Sequence, residues 1–389
     1  MSCVRLYITA LNPNESVTGG FLPAARALGC EVTLLTDQPE RYSGVETLRT
    51  DVRDVRSVVD TIARHHPPDA IFSNSDHLQP ETALAADYFG LPAKDWRACL
   101  TAKNKALMRR RLQAAGVETV RSVRIAPGDP MPADLAYPVV VKPREGVASE
   151  DVVLVADGSD LARAVSGIRA RRPGTTLVAE EYLDGPLHTL ETLGDGRALH
   201  VLGGFRTTLG PLPYFVEERL DWDPVSPGPS PHEHVLRALS AMGVGFGACH
   251  TEYVLTGRGP RIVEVNYRVI GDTCDFLLAE ILGIPLFEWI LGVHLGDPVT
   301  APPRATGHGA AVSVIAGRAG VIKEAPGEVT ETLGGVRLHH RPLRSPGDTV
   351  EPTHTNRDYL GIIRATGPDA NAVNQAIDAF RVRCPWVVQ

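Results

Sequence analysis

The chain has 389 residues, 43% hydrophobic and 22% charged, with a formal net charge of −7 and an isoelectric point near 6.0. Such a length and composition fit a globular protein of two or three domains and exclude a disordered chain. The acidic balance argues against a nucleic-acid or anionic-membrane partner, because binding phosphates needs clustered Lys and Arg. The one basic run, Arg109-Arg110-Arg111, falls in a helical pattern and reads as a solvated face. Cys3, Cys30, Cys99, Cys249, Cys274 and Cys384 form no CxxC pair, as expected of reduced thiols in a cytoplasmic protein. The first residues read as a strand, with no basic stretch leading into a long apolar run, so no secretory signal is expected.

Through residue 95, strand and helix alternate. Residues 4–10, 31–36 and 70–73 read as strands, and residues 20–28, 55–64 and 80–89 as helices. This order predicts a parallel sheet with right-handed crossovers. Residues 102–115 read as one long helix ended by Gly116. Strands follow at 120–125, 137–142, 152–156 and 177–181, with a helix at 161–169. A β-rich stretch runs from 188 to about 215, then a proline-rich loop over 221–232 and a helix at 235–242. Two strands then flank the turn Thr256-Gly-Arg-Gly-Pro260. The most apolar window, 276–295, contains Glu280, Pro285, Glu288 and His294, which a bilayer rejects. It reads as two buried helices separated by Gly283-Ile284-Pro285. The tail from about 305 is rich in strands and turns and ends in a helix over 370–381.

The densest chemistry lies in the hairpin from His250 to Arg268. Glu252 and Glu264 fall on adjacent strands, and register can bring them opposite each other. Glu264 and Asn266 are two apart and share a sheet face. Two carboxylates and an amide oxygen facing one way repel unless a cation sits among them, and hard oxygen donors of this kind suit Mg²⁺. Arg268 extends the same face, where a guanidinium suits a phosphoryl or carboxylate oxygen. The competing reading is a half-exposed strand with ordinary surface acids.

Lys142 ends the apolar run Val139-Val-Val, and an unpaired lysine there is costly, so an anionic partner is expected. Lys105 opens the helix that ends at Gly116. Leu177-Val-Ala-Glu180-Glu181-Tyr182-Leu183 is a strand running into a turn, whose backbone can offer C=O and N–H to a flat base between apolar side chains. No Gly-Lys pair occurs, so there is no P-loop, and Gly243-Val-Gly245-Phe-Gly247 does not satisfy GxGxxG. The pairs His65-His66 and His339-His340 read as surface residues.

Taken in order, these segments resemble the ATP-grasp superfamily from the first strand to about Leu295. The tail resembles the small C-terminal domain of its carboxylate–amine ligase and biotin-carboxylase-like branch. Asn12-Pro13-Asn14, the run Gly20 to Arg26 and the run Gly203 to Phe215 are similar to amino-acid and dipeptide ligases, including those of siderophore and other secondary-metabolite pathways. The resemblance implies an α/β (α+β) fold in four segments. These are a Rossmann-like domain (1–100), a linker helix and lid (101–184), a core with the metal site (185–300) and a small C-terminal domain (301–389). It also implies roles. Lys105 and Lys142 bind the ATP phosphates. Glu180, Glu181, Tyr182 and Leu183 form the adenine hinge, with Glu181 and Leu183 offering backbone. Glu252, Glu264 and Asn266 hold Mg²⁺, or Mn²⁺ in its place. Arg268, Lys142 and Gly271 serve catalysis, with Thr251 close by.

Two departures stand out. The lid, Pro143-Arg-Glu-Gly146-Val-Ala-Ser149-Glu150-Asp151, has one glycine and three acids where the family is richer in glycine; Ser149 is its candidate phosphate contact. The acid that often binds ribose is replaced by Leu187, so that contact is expected from His188 or Glu181, with Glu191 supporting from the next strand. The implied reaction activates a small-molecule carboxylate as an acyl phosphate and passes it to an amine, in a protein for which a homodimer is the family's expectation. The alternatives are a bicarbonate-using carboxylase of the same fold and a nucleotide-binding protein without catalysis.

Overall fold

The structure is a computed structural model that describes residues 4–224 and 231–389. Cys3 and the centre of the predicted 221–232 loop lie outside the described residues. The start of that loop is strand instead (Glu217–Asp223), and the following helix begins at its far end (Pro231–Met242).

Four parallel strands open the chain, in the order Glu46–Arg49, Cys30–Thr36, Val4–Thr9, Ala70–Phe72. Successive residues feed opposite cores. Leu6, Ile8 and Leu34 face one side, where Leu22–Ala27 and Leu286–His294 pack. Tyr7, Leu35 and Ile71 face the other, under Val55–Ala63 and Gln79–Tyr88. The strand Glu46–Arg49 was not expected: it is a partly exposed edge reading Glu-Thr-Leu-Arg, too polar to register as an apolar run. The predicted 102–115 helix is likewise the second of two, Trp96–Lys103 and Lys105–Ala114. Asn104 breaks them apart. Its backbone is extended, and its side chain accepts from Leu107 N at 3.1 Å, capping the second helix and setting Lys105 at its first turn.

A small antiparallel sheet follows, ordered Ser122–Ile125, Leu177–Glu181, Val139–Pro143, Val153–Val155. The helix Gly158–Arg171 covers it through Leu161, Val165 and Ile168. The largest sheet has nine antiparallel strands, beginning at the hairpin Gly259–Asn266 and Phe246–Thr256 and passing through Leu187–Asp195, Leu199–Leu209 and Glu217–Asp223. It runs on past residue 300 without a break, because Glu217–Asp223 pairs with His308–Ile315, which pairs with Tyr359–Gly367. One face of its hairpin half packs on Leu286–His294, which separates it from the N-terminal sheet. The other packs on Trp96–Lys103, Lys105–Ala114 and Pro231–Met242. The tail is thus woven into the central sheet, with Ala370–Arg383 packed on it through Val373, Ile377 and Phe380.

The apolar window forms Cys274–Leu282 and Leu286–His294, bent by 101°, and among the described residues no single helix is long and apolar enough to cross a membrane. The expectation for His340 fails. It is fully buried in the strand Val336–Pro342, its Nδ1 within 2.8 Å of Gly327 O and its ring beside Phe380 and Trp386, because strand alternation turns one of two adjacent residues inward.

Gly20 lies in the π-helical turn Ser16–Phe21, where a Cβ would sit 2.4 Å from the Phe287 ring. Gly20→Ala is expected to destabilise the protein by about 1–3 kcal/mol through overpacking. A drop in the thermal midpoint of the Gly20→Ala chain checks this, and Phe287→Leu in the same chain should return part of the loss.

Candidate active site

The site is a cleft between the small antiparallel sheet and the hairpin half of the central sheet. Several chain segments bring their charges to it. At its inner wall Glu180, 2% exposed, accepts from Arg109 Nε (2.9 Å) and Nη2 (3.0 Å) and pairs with Lys142 Nζ at 2.8 Å. Burial alone would raise the Glu180 pKa, but Arg109 and Lys142 outweigh it and hold the carboxyl far below the usual range. Burial depresses Lys142, with Glu180 opposing that shift. Arg109 also donates to Ile262 O (2.5 Å) and reaches Glu118 (3.3 Å), which in turn accepts from Ile262 N and meets His234 at 2.7 Å.

The hairpin register sets Glu252 directly opposite Glu264, and His250 opposite Asn266. Like charges so placed repel, and each has a cation beside it. Lys105 Nζ lies 2.8 Å from Glu264 Oε1, and His250 Nε2 lies 3.4 Å from Glu252 Oε1. His250 Nδ1 also meets Glu191 at 2.7 Å. Burial would lower the His250 pKa, but Glu191 and Glu252 push it up to about 10, so the ring is an imidazolium. Among the described residues, no three His, Cys, Asp or Glu side chains gather as a ready metal cage. The oxygen donors here are two carboxylates and the Asn266 amide, a set suited to a hard divalent ion that keeps other ligands from water or phosphate.

Arg268 follows the hairpin and lines the same cleft, with Gly271 close by. Its guanidinium is held by Asp76 from the N-terminal domain, at 3.0 Å from Nε and 2.8 Å from Nη2. Across the cleft stands Glu217, pushed up to about 8 by burial and by Glu252 and Asp272. Asn356 and Tyr359, from the tail, hold its side chain and backbone at 3.3 and 2.7 Å.

Tyr182, Leu183 and Gly185 form the outer wall with Glu181, whose carboxylate is pinned by Arg121 (3.2 Å) and Arg258 (3.0 Å). Gly185, at φ 147°, leaves no room for a side chain, since a Cβ would meet Leu255 O at 2.3 Å. The lid loop closes the cleft with Ser149 facing it. Ala148, Ser149 and Asp151 have φ of 56°, 53° and 59°, the left-handed conformation that a glycine-rich loop adopts without strain. Ion pairs hold it there: Asp151 to Arg171, and Glu150 to both Arg172 and Arg357, while Asn356 N donates to Ala148 O at 3.1 Å.

The predicted site residues line this cleft, except His188, Thr251 and Glu191. His188 follows Leu187, which does line it, so strand alternation sends the imidazole to the opposite face of the sheet, 2.9 Å from Asp223 and stacked on Tyr253. Thr251 is excluded for the same reason, being buried between His250 and Glu252. Arg109 reverses its expectation. It is buried in the site, and only Arg110 and Arg111 are solvated. Its signal was present, since Arg109 lies one helical turn after Lys105. His250, two residues before Glu252, was equally readable. For Glu217 and Asp76 nothing local in sequence marked the partner.

With this geometry in hand, the chain is similar to several known proteins. Residues 313–383 match the family L-amino acid ligase C-terminal domain 2. Carnosine synthase 1 of Homo sapiens is 26% identical over 73% of this chain and 39% of its own length, so the chain spans well under half of that relative. Dapdiamide A synthase of Enterobacter agglomerans is 22% identical over 72% of this chain and 70% of its own. The chain is thus similar to ATP-grasp ligases of the carboxylate–amine branch. The crystal structure of L-amino acid ligase from Bacillus licheniformis superposes with a TM-score of 0.82 over 99% of both chains, at 22% identity.

Because His250 titrates higher folded than unfolded, its stabilisation is complete below about pH 6.5 and is lost as pH rises towards about 10. In chelator-treated protein, the excess of the wild-type thermal midpoint over that of His250→Gln should therefore be largest near pH 6 and shrink steadily above it. A difference independent of pH would contradict the imidazolium.

Proposed function

We propose that this cleft binds ATP with Mg²⁺, phosphorylates the carboxylate of an amino acid or similar small acid, and joins the acyl group to an amine, releasing ADP and phosphate. The observation that carries the reading is the register of Glu252 against Glu264, beside Lys105 and in one cleft with Lys142 and Arg268. The four segments 1–100, 101–184, 185–300 and 301–389 divide the labour as base, lid, core and cover. The ligase relatives favour an amine acceptor over bicarbonate.

Phosphoryl transfer needs positioning and charge neutralisation more than covalent help from protein. Glu252, Glu264 and Asn266 would hold Mg²⁺, which would supply charge neutralisation for the transferring phosphoryl group. Lys105 would then turn from Glu264 to a phosphate oxygen, while the ion pair with Glu180 holds Lys142 at the cleft wall. The backbone of Glu181 and Leu183 frames the adenine. The substrate carboxylate attacks the γ-phosphorus and ADP leaves. The amine nitrogen then attacks the acyl carbon, phosphate leaves, and the nitrogen loses a proton. Arg268 and the backbone at Gly271 stabilise the oxyanion between these events. The Ser149 loop excludes water, which would otherwise hydrolyse the acyl phosphate.

With an equimolar mixture of the proteinogenic amino acids as acids and hydroxylamine as the amine, ATP should yield ADP and an acyl hydroxamate. Glu264→Ala and Lys142→Ala should each lower ADP release by about 100-fold or more. Undiminished ADP release from either variant, or bicarbonate replacing the amine, would overturn the reading.

A further inference from the structure

Resting on the role of Arg268 just given, we propose that Asp76 is a positioning residue: its carboxylate fixes the Arg268 guanidinium so that the N–H groups left over face the reacting acyl group.

A guanidinium has five N–H donors. In Arg268, Nε and Nη2 each donate one to Asp76 Oδ2, and Nη1 donates one to Val269 O at 2.9 Å. Two remain, one on each Nη, on a side chain that lines the cleft. An arginine tethered only through its flexible stem would have to find this orientation at every turnover, and pre-organised donors avoid that cost. Both side chains are largely shielded, Asp76 12% and Arg268 18% exposed, so the pair is little weakened by water. Burial alone would raise the Asp76 pKa; Arg268 and the nearby Lys103 outweigh it and keep the carboxylate charged.

Asp76 is not needed to dock the two domains, because a second bridge does so. The same loop is held by Gln79, whose Nε2 donates to Ser73 O (2.9 Å) and Ser75 O (3.0 Å). Gln79 Oε1 accepts from the buried Lys94 (2.7 Å), and Lys94 also donates to Tyr267 O (2.5 Å), one residue before Arg268. A closed ring results, Asp76–Arg268–Tyr267–Lys94–Gln79 and back through the loop. The Lys94 arm fixes backbone to backbone. The Asp76 arm acts on the guanidinium itself, which is what a role in orientation requires.

The test uses the full chain with ATP, hydroxylamine and the amino-acid mixture. Asp76→Asn should lower kcat by about 10- to 100-fold while KM for ATP stays within about twofold; the thermal midpoint should fall as well, because the shielded guanidinium loses its counterion. Asp76→Glu should recover part of the rate. In an Arg268→Ala background, Asp76→Asn should cost nothing further, since the two act as a unit. The inference is overturned if Asp76→Asn leaves kcat unchanged, if it lowers the rate by the same factor with and without Arg268, or if the loss appears as a raised KM for ATP with kcat intact. Wild-type ADP release from Arg268→Ala instead removes the role of Arg268, and the present inference falls with it.

Discussion

Glu180 sits where two positive side chains from different segments would otherwise repel each other inside the protein. A buried carboxylate between Arg109 and Lys142 is favourable only while all three are present, since losing one leaves the others charged in a poorly solvated place. The rest of the cleft depends on this arrangement. Arg109 belongs to the linker helix, Lys142 to the second strand of the small sheet and Glu180 to the strand beside it. Through Ile262 O, Arg109 also reaches the hairpin bearing Glu252 and Glu264. One guanidinium thus sets the spacing between the two walls of the cleft.

The same logic of paired charge runs along the cleft floor. Lys105 answers Glu264, His250 answers Glu252 and Asp76 answers Arg268. Glu217 differs. Among the described residues it has no cationic partner in an ion pair, only the amide of Asn356. That amide comes from the tail, whose strands continue the central sheet. The segment matching the L-amino acid ligase family is therefore joined to the site by backbone pairing as well as by side chains.

Much of this was legible from sequence because period and chemistry coincide. The parallel sheet announces itself through apolar runs separated by helical spacing, and the hairpin through two alternating strands around a Gly-Pro turn. What could not be read required knowledge of which strand face turns inward. His188 and Thr251 carry suitable chemistry but stand one residue out of phase. Arg109 was hidden inside a run of arginines whose other members are solvated. Asp76 and Glu217 acquire their partners across 192 and 139 residues, and no local pattern encodes such a meeting.

The lid is fastened on two sides by arginines, Arg171 and Arg172 on its own sheet's helix and Arg357 on the tail, and each of them is substantially open to solvent. Lifting it exchanges those contacts for hydration and dissolved counterions, and releases three residues from a backbone conformation they adopt reluctantly. Under the proposed function, passage of nucleotide through the cleft is thereby coupled to ionic strength. A loop built from glycine would open by flexing alone and would have no such dependence.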